Sequence, residues 1–181
     1  MRTLKVLSFG AGAIGTYLGG SLLKSGHEVS FIERKDIVVQ LKEQGIVLHS
    51  KSGKYQSKQI KVFESIAEAL NFQNYDVALV AVKAYDTQNL AQSLTPYKSI
   101  MPPLLCLQNG VENEPIYRAC LGNDKVIGAS VTSAIQRVNA GEIIIETERG
   151  IGIANLHPIS SLLCDAFTDA GIKARLYPNE A

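Results

Sequence analysis

The chain has no tryptophan and three cysteines, Cys106, Cys120 and Cys164, far apart and without a C-x-x-C pair. An odd set of isolated thiols excludes a disulfide framework and a cysteine-built zinc site, and it leads us to expect reduced thiols in a cytoplasmic protein. Cys106 sits in an apolar run and reads as a small core residue. No apolar run reaches the roughly 18 residues of a membrane helix. One early charge followed by a strand is not the pattern of a signal peptide. Neither sign of charge is in surplus: 18 Lys and Arg against 17 Asp and Glu leave a formal +1. The basic residues are scattered among acids, so neither nucleic acid nor an anionic membrane is expected as a partner. No internal repeat and no low-complexity tract is present.

What is there is a chain of 181 residues, 46 % hydrophobic, enough for one domain with a sizeable core. It is organised around its start, Leu4 to Lys24. Leu4 to Phe9 reads as a buried strand. Gly10, Gly12 and Gly15 follow in the spacing G-x-G-x-x-G, and then Ile14, Leu18, Leu22 and Leu23 recur at helical spacing. In a strand, turn and helix of this kind, Gly10 permits the tight turn, Gly12 lets a phosphate reach the backbone, and Gly15 lets the helix pack on the strand. The free N–H groups of the helix start then face the phosphate. The motif alone is unspecific; the strand before it and the helix after it point to dinucleotide binding.

Strands and helices then alternate. Val29 to Ile32 reads as a strand and Asp36 to Gln44 as a helix ended by Gly45. Gly45 to Ser50 and Lys54 to Val62 read as a polar hairpin around Ser52-Gly53. Ser65 to Glu68 has the form of a capping box. Asp76 to Val82 is continuously apolar after its first residue, as a strand covered on both faces must be. Asp86 to Leu94 is a helix, Leu104 to Leu107 a strand, and Asn113 to Gly122 a helix with Pro115 in its first turn. Val126 to Val131 is a further strand. Ser133 to Val138 and Glu142 to Thr147 read as a hairpin, Gly150 to Ala154 as a strand, Pro158 to Ala170 as an amphipathic helix, and Ile172 to Leu176 as a last strand. The expected fold is α/β: a Rossmann-type, doubly wound and mostly parallel sheet, to which the tail adds antiparallel strands.

Ligands of such sheets bind beyond the carboxyl ends of the strands. Gly10 to Gly15, Glu33-Arg34-Lys35, Lys83, Gln108-Asn109-Gly110 and Thr132-Ser133-Ala134 follow successive strands and gather along that edge. Loops are polar in any case, so the convergence, not any one residue, carries the reading. An acid at the tip of the second strand would hold the ribose 2′-hydroxyl of NAD, and an arginine there would accept the 2′-phosphate of NADP. Glu33 and Arg34 offer both, on opposite sides of the strand, and the residues themselves leave the choice open.

GAGAIG, GHEVSFIER, VKAYDT and LQNGVENE occur in this order and together resemble the ketopantoate reductase (2-dehydropantoate 2-reductase) family over nearly the whole chain. The lysine after the VAV strand and the Asn-Gly after the next one are its more specific marks. The resemblance implies reduction of the small 2-oxoacid 2-dehydropantoate to (R)-pantoate by hydride transfer from NADPH, a step toward pantothenate and coenzyme A. It implies that Gly10, Ala11, Gly12, Ala13, Ile14 and Gly15 line the cofactor, that Arg34 contacts the 2′-phosphate, and that Ala134 touches the cofactor by its backbone. Lys83 and Asn109 would stand at the nicotinamide end as the catalytic candidates, Asn109 also facing the substrate. Glu33 departs from the apolar residue expected before that arginine and keeps NAD in play.

The resemblance further implies a helical second domain that supplies the proton-donating lysine and the substrate clamp. Residues 1–181 then form one dinucleotide-binding domain, with that helical domain expected after residue 181 and absent here, so these residues alone are expected to be inactive. Of the local groups only Lys83 could give a proton. His27 and His157 read as structural or solvated, and His49 has no partner readable from sequence. A related hydroxyacid dehydrogenase and a dinucleotide-binding module without chemistry are the alternatives, no metal is expected, and a homodimer stays open.

Overall fold

The computed structural model describes residues 2–108 and 112–178. Its centre is the first strand, β1 (Lys5–Phe9), whose last four residues are all buried. The glycine turn leads into α1 (Ala13–Lys24), then β2 (Glu28–Ile32) and α2 (Lys35–Gln44). A hairpin follows, β3 (Ile46–Ser50) and β4 (Gly53–Ser57), then β5 (Lys61–Phe63) and α3 (Ile66–Phe72). Next come β6 (Val77–Val80), α4 (Thr87–Leu94), β7 (Leu104–Cys106), α5 (Asn113–Leu121) and β8 (Val126–Val131). The tail holds β9 (Ala134–Asn139), β10 (Glu142–Thr147), β11 (Ile151–Ala154), α6 (Ser160–Asp169) and β12 (Ala174–Tyr177).

The main sheet has the order β12-β11-β8-β7-β6-β1-β2-β5. From β5 to β8 all pairs are parallel, which is the doubly wound arrangement with β1 beside the point where the strand order reverses. β11 joins β8 antiparallel and β12 runs parallel to β11, so the tail does extend the sheet with reversed strands. Val77 to Val80 are fully buried, as expected for a strand covered on both faces.

Two readings need correction. Lys61 and Val62 do not belong to the hairpin after Gly45; with Phe63 they form the edge strand β5 beside β2, while the hairpin closes at Ser57. That hairpin is not polar either, since Ile46, Val47 and Leu48 are buried. The hairpin of β9 and β10 leaves the main sheet altogether. It pairs with the earlier hairpin in a second sheet of order β4-β3-β10-β9, joined by the parallel pair β3 and β10. Each hairpin has one apolar face and too few strands to bury it alone, and they bury those faces together against α1.

Helix α1 therefore lies between two sheets, and Gly15 to Leu22 are all buried. A Cβ on Gly19 would stand 2.9 Å from the Phe31 ring of the main sheet. A Cβ on Gly20 would stand 2.9 Å from both Ile46 and Leu48 of the second sheet. Small residues here set how closely the sheets approach the helix. The capping box at Ser65 forms in part. Ser65 Oγ accepts the Glu68 N–H at 3.2 Å, but the Glu68 carboxylate accepts from Glu64 N–H rather than from Ser65 itself.

The three histidines serve the scaffold. His27 Nδ1 accepts the Leu4 N–H at 3.1 Å, and burial holds its pKa below the usual imidazole value. His157 Nδ1 accepts the Ile159 N–H at the start of α6. His49 does have a partner, Glu142 across the β3–β10 pair at 2.9 Å. Burial pushes the Cys106 thiol far above its ordinary range, in keeping with a core residue.

Gly20→Val tests the double-sided packing of α1. Overpacking costs about 1–3 kcal/mol, which exceeds the few tenths that valine gains over glycine in a helix. A melting temperature lower by about 3–6 °C is expected in a thermal scan; an unchanged one would show that Ile46 and Leu48 yield freely.

Candidate functional site

The site lies along the carboxyl edge of the parallel strands and is built outward from the glycine turn. Gly10 has φ +100°, a conformation that L side chains rarely adopt, and its N–H donates to the Ile32 carbonyl at the end of β2. Gly15 is required for space: a Cβ there would lie 2.1 Å from the Gly10 carbonyl oxygen. Gly12 is different. A Cβ on it meets no protein atom within 4 Å, so nothing in the fold itself demands glycine there. The open space lies at the first turn of α1, where N–H groups have no partner within the helix. It is a cradle that a side chain would fill, and it suits a phosphate.

Ala11 is buried and ties three elements together. Its N–H donates to Glu33 Oε1 at 2.7 Å, and its carbonyl accepts from Thr16 Oγ1 at 2.9 Å and from the Gly141 N–H at 3.2 Å. The turn between β9 and β10 is thus bonded to the glycine turn. The other carboxylate oxygen of Glu33 accepts the Arg34 N–H at 3.2 Å. Glu33 is half-buried and aimed at the glycine turn. Arg34 is exposed and stands 3.6 Å from Asp36.

Two adjoining cavities, of about 430 and 580 Å³, line this edge. The first runs between the tips of β1, β2 and β6, with Gly10, Glu33, Arg34 and Glu64 on its walls. The second is lined by Ala13, Ile14, Leu107, Gln108 and Ser133. Gly12, Ala81, Val82, Lys83 and Arg137 border both.

The expected residues fall out as follows. Gly10, Gly12 and Arg34 line the first cavity, Ala13 and Ile14 the second, and Lys83 both. Gly15 and Ala11 support the turn from behind. Ala134 opens β9, paired with Thr147, directly after Ser133, which lines the second cavity. Ser133 Oγ accepts the N–H groups of Arg149 and Gly150, which fixes this corner. Asn109 lies outside the described residues.

Sequence reasoning placed Gln108 at this edge but missed that it holds Lys83, and it missed Thr87 and Asn113 behind it. Gln108 Nε2 donates to the Lys83 carbonyl at 3.1 Å and to Thr87 Oγ1 at 2.8 Å, and Thr87 Oγ1 donates to Asn113 Oδ1 at 2.7 Å. This buried chain pins the loop after β6. It also missed Arg137, whose one signal was a basic residue two positions after Ile135 in a strand with an apolar face. Among the described residues no cluster of His, Cys, Asp and Glu could hold a metal ion, and no helix is long and apolar enough to cross a membrane.

The family model described as ketopantoate reductase PanE/ApbA matches residues 6–158. An uncharacterized oxidoreductase of Bacillus subtilis (strain 168), YkpB, is 31 % identical over 145 residues, 77 % of this chain and 45 % of its own length. A 2-dehydropantoate 2-reductase of Archaeoglobus fulgidus is 30 % identical over 179 residues, 96 % of this chain and 56 % of its own. The crystal structure of a PanE/ApbA family ketopantoate reductase from Ralstonia eutropha JMP134 superposes with a TM-score of 0.84 at 30 % identity, covering 97 % of this chain and 57 % of the other. The chain thus spans about half the length of the curated relatives it matches.

Gly12 and Gly15 make a matched test. Gly12→Val should leave the thermal melt near that of the parent and abolish dinucleotide binding. Gly15→Ala should lower the melt by several degrees, because the Gly10 carbonyl must move. If the Gly12 variant still binds in a cofactor titration, the phosphate does not occupy the cradle.

Proposed function

Because the chain belongs to the ketopantoate reductase PanE/ApbA family, we propose that it is the dinucleotide-binding half of a reductase that delivers hydride from a nicotinamide cofactor to a 2-oxoacid. In this reading 2-dehydropantoate is the substrate and (R)-pantoate the product, made in the cytoplasm toward pantothenate and coenzyme A. The observation that carries it is the open cradle at Gly12, continuous with a groove that passes Lys83 and ends at Ser133.

The cofactor supplies the hydride; the chain's residues bind and orient. The Gly12 cradle and the start of α1 take the diphosphate. Lys83, pinned through Gln108, and Asn109 serve the nicotinamide end, with Asn109 also facing the substrate. The new alkoxide needs a proton. The three histidines are engaged in the scaffold, so the proton donor and the substrate clamp come, in this reading, from a helical second domain like that of the family.

Two side chains compete for the adenosine ribose. Arg34 supports NADPH, since an exposed pair with Asp36 is worth about 0–1 kcal/mol and releases easily to a phosphate. Glu33 supports NADH. Its carboxylate is oriented by two backbone N–H groups beside the turn. There it suits a ribose hydroxyl and repels a 2′-phosphate. The part-buried bond from the Ala11 N–H fixes it toward the glycine turn, so the geometry supports NADH over NADPH.

Titration of both cofactors is expected to give NADH affinity at least equal to that of NADPH. Glu33→Gln should shift the ratio toward NADPH by about tenfold. A preference for NADPH that disappears in Arg34→Ala would return the assignment to Arg34. A second measurement follows cofactor oxidation with 2-dehydropantoate. Residues 1–181 alone should bind cofactor yet turn over at least about 10²-fold more slowly than a chain carrying the helical domain, given what general acid catalysis contributes. Rapid, saturable turnover by residues 1–181 would show that they hold a complete site.

A further inference from the structure

We propose that Arg137, reaching over from the second sheet, is the cationic arm that closes the cofactor's diphosphate site opposite Lys83. The inference rests on the dinucleotide reading above and adds to it a residue from the other sheet.

The placement of Arg137 is specific. In the β9–β10 pair Asn139 faces Glu142 but Arg137 faces Ile143, so Val138 is an extra residue and the strand bulges beside Arg137. A bulge re-aims the neighbouring side chain. Arg137 shares its face with Ile143 and Ile145, which are buried on the α1 side of the sheet. Arg137 itself is exposed, and it borders both cavities together with Gly12 of the glycine turn. The hairpin carrying it is tied to the glycine turn through the Gly141 N–H, which donates to the Ala11 carbonyl. Among the described residues Arg137 has no ion pair; its Nε donates to the Asn139 carbonyl at 3.4 Å.

The charge distribution names the ligand group. The cavity toward β2 is mixed, with Glu33, Glu64 and Asp86 against Arg34, Lys83 and Arg137. Among the described residues, the only charged ones lining the other cavity are Lys83 and Arg137. Both cations stand where the cavities meet, beside Gly12. A dinucleotide that spans the two cavities must pass its diphosphate through that junction. Two cations from opposite walls match its two negative charges, and a guanidinium fits phosphate oxygens in a bidentate manner.

The test compares the parent with Arg137→Gln and Arg137→Lys, titrated with NADH, NADPH and ADP-ribose at two salt concentrations. ADP-ribose carries the diphosphate but no nicotinamide. Arg137→Gln should weaken all three by a similar factor, about tenfold, with a shallower salt dependence, and Arg137→Lys should recover part of it. An unchanged thermal melt separates this from misfolding; should Arg137→Gln melt early, Arg137→Lys alone decides, by weakening all three or none. Loss for NADPH only would assign Arg137 to the 2′-phosphate and overturn the inference. Unchanged ADP-ribose affinity, with a raised KM for the oxoacid in the chain that carries the helical domain, would assign it to the substrate carboxylate and overturn it as well. A parent that binds none of the three overturns the functional reading and this inference together.

Discussion

The close approach between the start of α1 and the glycine turn governs the rest of this structure. With Gly15 the helix can stand on the Gly10 carbonyl, and a methyl group there would collide with it at 2.1 Å. From that footing α1 runs buried between two sheets, with Gly19 against one and Gly20 against the other. Each side of the helix buries apolar surface, and neither hairpin of the second sheet could do so alone. The same turn presents its free edge at Gly12. One short segment thus fixes the packing of both layers and leaves open space beside Gly12.

The second sheet is more than a cover. Gly141 binds the Ala11 carbonyl, and Ser133 at the base of β9 holds the corner near Arg149 and Gly150. The groove is therefore walled by the ends of parallel strands on one side and by a hairpin on the other. Charge varies along the groove and not between its walls: acidic and basic groups mix toward β2, and each wall brings one cation, Lys83 or Arg137, to the junction by Gly12.

The parallel strands were legible because each is a short apolar run between clear turn residues, and because sterics confine such runs to a sheet covered on both faces. Helix ends at Gly45 and Gly122 were legible for a similar reason, since both glycines adopt positive φ. The second sheet was not. Its central pair joins β3 to β10 across most of the chain, and no local pattern reports a partner so remote in sequence. Lys61 and Val62 went astray because a short strand after a hairpin looks like its continuation. Within the site, the glycine turn and Lys83 could be read from order along the chain. The orientation of Glu33 over Arg34 could not, because it depends on which face of a strand tip meets the Ala11 N–H. Arg137 was hidden for the same kind of reason: its aim comes from a bulge and from a turn anchored far away.

The parallel pairing of β3 with β10 also orders events in time. Pairs between distant segments form late, because closing a long loop costs entropy before any contact repays it. The first half of the chain can assemble β1, β2 and β6 around one side of α1, since those contacts are closer in sequence. The other side of α1 is covered by β3 alone, with Ile46 and Leu48 still lacking Ile143 beside them, until β10 arrives. During synthesis on the ribosome the glycine turn would thus be present long before its second wall. A nascent chain halted before Glu142 would carry an apolar helix flank in water, a surface that chaperones bind and proteases find.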